Sequence, residues 1–202
     1  MRYTLLLISD GRDGYLTETL KSALVNLPAP ERIVAVDDRA HLLGFAGAIQ
    51  HGWDQILDTD AEYIFHLEGD FTFNHPVDLE TMAELASDPH IAQVALKRQP
   101  WNQQEIEAGG IVELNPDDFD EGQFYYDYWS HTYTAHRKFF TTNPSIYRRD
   151  IAERGWPQVP ESEGHFGIGL FQDPHVVSTF WGGKFDPPLV HHVGDSREGH
   201  GY

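Results

Sequence analysis

The chain has 202 residues, no cysteine, and 32 acidic against 14 basic side chains, a formal net charge of −18. One domain of that length removes roughly 70% of its unfolded surface from water, so it folds without disulfides or structural metal, and thiol catalysis, thiolate zinc sites and disulfide frameworks are excluded. Apolar residues at 40% exclude a wholly disordered chain, no run approaches the ~18 apolar residues of a membrane span, and an acidic surplus shared evenly by residues 1–100 and 101–202 disfavours duplex nucleic acid and anionic lipid as partners.

Tyr3 to Ile8 is an apolar run that reads as a first strand, not as a signal peptide with a cleavage site. With the lack of cysteine it fits a cytoplasmic protein. It ends in Ser9-Asp10-Gly11-Arg12, a turn signal. Leu16, Leu20, Leu24 and Leu27 predict one stripe of a helix, which Pro28 and Pro30 stop. Ile33 to Val36 predicts a short buried strand that ends in Asp37-Asp38. Leu42, Phe45, Ile49, Trp53 and Ile56 recur at helical spacing. Ala61 to Leu67 predicts a third strand, broken by Glu68-Gly69-Asp70. A helix near 78–87 and a strand near 91–97 follow.

The second half is less regular. Residues 100–135 are rich in Asn, Gln, Asp, Gly and aromatics. Phe139 to Tyr147 predicts a strand interrupted at Asn143-Pro144, and 163–172 a short helix after Pro160. Residues 174–202 are punctuated by Gly and Pro and end as a polar, His-containing tail. No repeat or low-complexity linker divides the chain, which reads as a single domain. Alternating strands and helices predict an α/β fold with a largely parallel central sheet flanked by helices. In such sheets ligands bind beyond the carboxyl ends of the strands, and all three early strand ends carry carboxylates.

The sharpest local pattern is His66-Leu67-Glu68-Gly69-Asp70-Phe71. Residues two apart on extended chain point the same way, so Glu68 and Asp70 can face one ligand, and paired oxygen donors suit Mg²⁺ or Mn²⁺ with substrate phosphates. The same residues also make an ordinary acidic turn. Asp37-Asp38 can accept from a base or a ribose or simply form a turn. Gly44, Ala46, Ala48 and Gly52 give the second helix a small-residue surface for a ligand or for the sheet. In Val190-His191-His192-Val193-Gly194-Asp195-Ser196-Arg197, one imidazole can complete a metal site and Arg197 can neutralise a diphosphate. The aromatics and acids of 117–133 suit either a sugar-binding wall or a surface loop with its rings folded inward.

Together these motifs resemble a small glycosyltransferase of the GT-A fold, close to the large family-2 type and to its short phage-encoded members. Gly11-Arg12-Asp13-Gly14-Tyr15-Leu16, with Leu20 and Ser22, is similar to that family's opening turn and first helix. Asp37-Asp38 resembles its second-strand acidic end, and Leu67-Glu68-Gly69-Asp70 its Asp-x-Asp motif, with Glu in the first place. Asn143-Pro144-Ser145-Ile146-Tyr147-Arg148-Arg149 resembles the acceptor-side strand. Glu161-Ser162-Glu163-Gly164-His165-Phe166 falls near the catalytic acid, and His192-Val193-Gly194 resembles the segment that closes over the metal.

The resemblance implies a nucleotide-sugar half in 1–100, an acceptor and catalytic half in 101–180, and a closing segment in 181–202. It implies Asp70 and His192 (or His191) as ligands of Mn²⁺ or Mg²⁺. Asp10, Arg12, Asp37, Asp38, Glu68 and Arg197 are implied donor-binding residues, and Glu163 or Glu161 the base. The expected reaction is metal-dependent transfer of a hexosyl group from a nucleoside-diphosphate sugar, a UDP-sugar first of all. The acceptor is left open among protein, glycan, lipid and modified nucleotide. A nucleotidyltransferase that makes nucleotide-sugars, or a non-catalytic carbohydrate-binding protein, is the alternative on the same fold.

Overall fold

A computed structural model describes residues 1–40 and 42–194. The first half alternates as the apolar pattern predicts: β1 (Tyr3–Ser9), α1 (Asp13–Asn26), β2 (Arg32–Asp37), α2 (Gly44–Leu57), β3 (Tyr63–Glu68), β4 (Phe71–Phe73), α3 (Leu79–Ala86) and β5 (Ile91–Ala95). Then come β6 (Arg98–Gln99), α4 (Gln103–Ala108), β7 (Asp120–Tyr126), β8 (Trp129–His136), β9 (Ser145–Arg148), α5 (Arg149–Ala152), α6 (Ser162–Leu170), β10 (Val177–Trp181) and β11 (Val190–His192).

Eight strands form one sheet in the order β2-β1-β3-β9-β5-β10-β8-β7. The β1–β2, β1–β3 and β5–β10 pairs are parallel, and β9, β8 and β7 enter antiparallel. The sheet is therefore mixed, with its parallel part where strand and helix alternate in sequence. Alternation along β1 feeds both faces: Leu5 and Leu7 join the core beneath α1 and α3, while Leu6 and Ile8 join the core beneath α2, α5 and α6. Such two-sided burial is why β1 reads as an unbroken apolar run.

Three expectations change in detail. Leu24 is 74% exposed, whereas Leu16, Leu20 and Leu27 pack on the core. A leucine every fourth residue drifts round a helix of 3.6 residues per turn, and Ala23 takes the inward place. The strand expected over 139–147 is only Ser145–Arg148, since Pro144 has no N–H to pair. Part of the irregular stretch 100–135 is a hairpin, β7 and β8, joined through Asp127 and Tyr128, both at positive φ. Of the small residues of α2, buried Ala48 and Gly52 serve helix–sheet contact, for a Cβ at Gly52 would lie 2.5 Å from Leu6 Cδ1, whereas a Cβ at Gly44 would meet open space.

A second sheet, β4-β11-β6, decides the site. β11 runs antiparallel to β4, with His192 opposite Phe71, and parallel to β6, with Val190 opposite Arg98. Fully buried Val190 anchors it.

Candidate active site

The ends of β1, β2 and β3 lie side by side, with Ser9 opposite Asp37 and Ile8 opposite Glu68. The Gly69 N–H donates to the Ile8 carbonyl at 2.8 Å, and a Cβ at Gly69 would come within 3.2 Å of Ser9 Cβ. A side chain between the two acids would therefore crowd Ser9. At this end Glu68 is half-buried and Asp70 is buried beside it.

β11 brings His192 to that end. The imidazole stacks on Phe71 at 4.7 Å between centroids, 13° from parallel. Its Nε2 is 3.4 Å from Asp70 Oδ2, and the Val193 N–H donates to the Asp70 carbonyl at 2.9 Å. A Cβ at Gly194 would lie 2.3 Å from Asp70 Oδ2, so a larger residue after Val193 would have to displace the carboxylate. On the other side of the ring, Arg98 Nη1 donates to Nδ1 at 2.7 Å. The Arg98 guanidinium lies 4.2 Å over the Trp101 ring and pairs with Glu105. Glu105 in turn closes a capping box with Asn102 at the start of α4.

A cavity of about 610 Å³ opens beside this cluster, a size suited to a small-molecule ligand. Glu68, Phe71, Arg98, Trp101, Glu105 and His192 line it together with the 139–143 segment and residues 161–164. Arg98 is the one cationic side chain among the described residues that line it.

Glu163 stands in the first turn of α6, where the helix dipole favours an acid. Its Oε1 accepts from both the N–H (2.6 Å) and the hydroxyl (2.8 Å) of Thr142. Among the described residues no group hydrogen-bonds Oε2. Burial pushes the Glu163 carboxyl up, against the opposing pull of Thr142 and Arg98. Glu161 lines the same cavity from the position before the helix, exposed, at φ +54°.

The structure thus brings Glu68, Asp70, His192, Glu161 and Glu163 to one region. Asp10, Arg12, Asp37 and Asp38 lie at the neighbouring strand ends, outside the cavity lining. Arg12 is ion-paired with Asp10 and feels the charge of Asp70. Asp37 is paired with Arg39 at 3.0 Å. The buried Asp38 carboxylate accepts from the N–H groups of Leu42, Leu43 and Gly44 at 2.8–3.0 Å, which turns the chain into α2. His191 is exposed on the opposite side of β11 from His192. Arg197 lies outside the described residues. The 117–133 segment belongs to the hairpin region and does not line the cavity; Tyr125, Tyr128 and Trp129 project into solvent.

Arg98, Trp101 and Thr142 carry parts of the site that the motifs do not reveal. The one local signal was Asn102-x-x-Glu105, a capping box after an apolar strand.

No protein-family model matches the chain, and no curated protein matches it by sequence. Solved structures do match it. Mannosyltransferase PcManGT from Pyrobaculum calidifontis, in complex with GDP-Man and Mn²⁺, superposes with a TM-score of 0.61 at 12% identity over 97% of this chain and 58% of that one. S. aureus TarS 1-349, in complex with UDP-GlcNAc, gives 0.58 at 14% identity over 100% of this chain and 60% of that one.

The fold is that of the GT-A-like glycosyltransferases. The chain spans somewhat under two thirds of these neighbours' length, and at such identities the likeness is one of fold. Within this GT-A-like fold the cavity sits beyond the carboxyl end of β3. No described helix is long and apolar enough to cross a membrane.

Proposed function

We propose that the chain is a divalent-cation-dependent glycosyltransferase that moves a sugar from a nucleoside diphosphate, a UDP-sugar first, to an acceptor hydroxyl. The observation that carries this is the single cavity lined both by the acid-tipped strand end and by Glu163, which is held on Thr142. Motif order places it near the family-2 enzymes, with 1–100 holding the donor, 101–180 the acceptor, and the segment from 181 closing the site. A cysteine-free chain using an intracellular donor belongs, on this reading, in the cytoplasm.

The residues suit the cation. Glu68 and Asp70 supply hard oxygen donors of the kind Mn²⁺ and Mg²⁺ take. Among the described residues no three His, Asp or Glu side chains converge to hold an ion alone, so Glu68 and Asp70 would hold it together with the bound donor. The need is electrostatic: Glu68, Glu161 and Glu163 line the cavity, Asp70 lies beside its His192, and Arg98 is already paired with Glu105. When bound, the ion offsets the negative charge that grows on the leaving diphosphate.

The chain's own residues do the rest. Asp37 and the Asp10–Arg12 pair border the nucleoside, Asp38 shapes the loop beside it, and Arg197 adds positive charge from beyond the described segment. In an inverting transfer Glu163 takes the acceptor proton on Oε2 while Thr142 fixes Oε1. The raised carboxyl makes it the better base, and Glu161, exposed at the helix start, stands second.

Calorimetry with UDP and Mn²⁺ tests the donor end. Binding is expected only with the metal, and Asp70→Ala lowers it by about 10²-fold or more. Unchanged UDP affinity in that variant would refute the assignment. A panel of nucleotide-sugars, read as released nucleoside diphosphate, then identifies the donor.

A further inference from the structure

His192 meets the site through both ring nitrogens, and their partners differ in kind. Nδ1 lies 2.7 Å from Arg98 Nη1. A guanidinium has donors only, so Nδ1 is the accepting nitrogen and the proton of the neutral ring sits on Nε2. Nε2 lies 3.4 Å from Asp70 Oδ2, an acceptor. Polarity runs one way along the chain, from Arg98 through His192 to Asp70.

The ring is closely held on all sides. His192 is 8% exposed, stacked on Phe71, and carried on a strand paired from both sides. Arg98, 6% exposed, is fixed by Trp101, by Glu105 and by the Pro100 carbonyl at 3.3 Å. A histidine that binds metal through one nitrogen almost always donates its other N–H to an acceptor. Here that other nitrogen faces a donor. Ligation through Nε2 would move the proton to Nδ1 and press N–H against N–H in a buried place.

We propose that His192 is a positioning residue for Asp70 and not a ligand of the cation. Arg98 locks the ring as the Nε2–H tautomer, and that N–H orients Oδ2 of the carboxylate that meets the metal. This deepens the functional reading above and rests on it for the cation.

Two measurements on the full chain test the proposal. Long-range ¹H–¹⁵N correlation spectra of the metal-free protein, with the His192 signals assigned by their loss in His192→Gln, are expected to show the Nε2–H tautomer. An Nδ1–H ring would overturn the proposal. Electron paramagnetic resonance titration of Mn²⁺ in the presence of UDP reads the second consequence. His192→Leu weakens Mn²⁺ binding about tenfold, the range for losing a group that orients a ligand. His192→Gln, whose amide N–H can replace Nε2–H, stays within about threefold of the parent. Equal loss in the Gln and Leu variants would overturn it. If the parent chain binds no Mn²⁺ under these conditions, the cation-dependent reading of the function fails and the metal-facing role of Asp70 with it; the tautomer still tests separately whether His192 donates to Asp70, an Nδ1–H ring overturning that contact.

Discussion

Glu163 shows how one residue trades stability for reactivity. Burial removes the water that would stabilise its charge, and the Thr142 donors offset that only in part. A carboxyl with a raised folded-state pKa contributes stability that is complete below the ordinary carboxylate range and lost as pH rises through the folded value. Glu163→Gln keeps an oxygen for Thr142 and removes the charge. It is expected to melt above the parent at about pH 8, with the advantage vanishing below about pH 4, in thermal unfolding followed by circular dichroism. Transfer is abolished while UDP binding persists. The same titration makes parental activity rise with pH, since the base works ionised. At this scale the acids and His192 were legible as residue types at strand ends. Arg98 was not, because a basic residue after an apolar strand carries no sign of the tertiary contact that buries it.

Among the elements, α6 and the 139–144 segment set the distance on which the base depends. Gly167 lets them touch: a Cβ there would sit 2.8 Å from the Phe140 nitrogen and 3.2 Å from the Phe139 carbonyl carbon. Both are backbone atoms, so a side chain cannot swing aside to relieve the clash. Gly167→Ala is expected to cost about 1–3 kcal/mol in chemical denaturation and to lower transfer more than UDP binding, because it pushes Glu163 off Thr142. Strands β1, β2, β3 and β5 and the helices between them were legible from periodicity, since an apolar run or stripe is a local pattern whichever strand it later pairs with. The β7–β8 hairpin was hidden. Its turn uses Asp127-Tyr128 in place of a glycine pair, and Gly122 interrupts β7, where the Tyr133 ring covers it from the facing strand. The placing of β9 between β3 and β5 was likewise invisible, since no local pattern says which strand a distant segment will join.

For the whole molecule, charge and connectivity matter most. A net charge of −18 repels a free nucleoside diphosphate, and salt screens that repulsion. Raising ionic strength from about 0.01 M to about 0.15 M shortens the screening length from about 30 Å to about 8 Å. Stopped-flow association of UDP, at saturating Mn²⁺, is therefore expected to quicken several-fold; slower association would mean that local cations dominate the approach. Connectivity has its own consequence. Asp70 and His192 stand 122 positions apart, and the strand carrying the second inserts between two strands made long before it. A ribosome must finish and release everything through Gly194 before the carboxylate gains its imidazole neighbour. A nascent polypeptide stalled earlier leaves the facing edges of β4 and β6 without the strand that joins them.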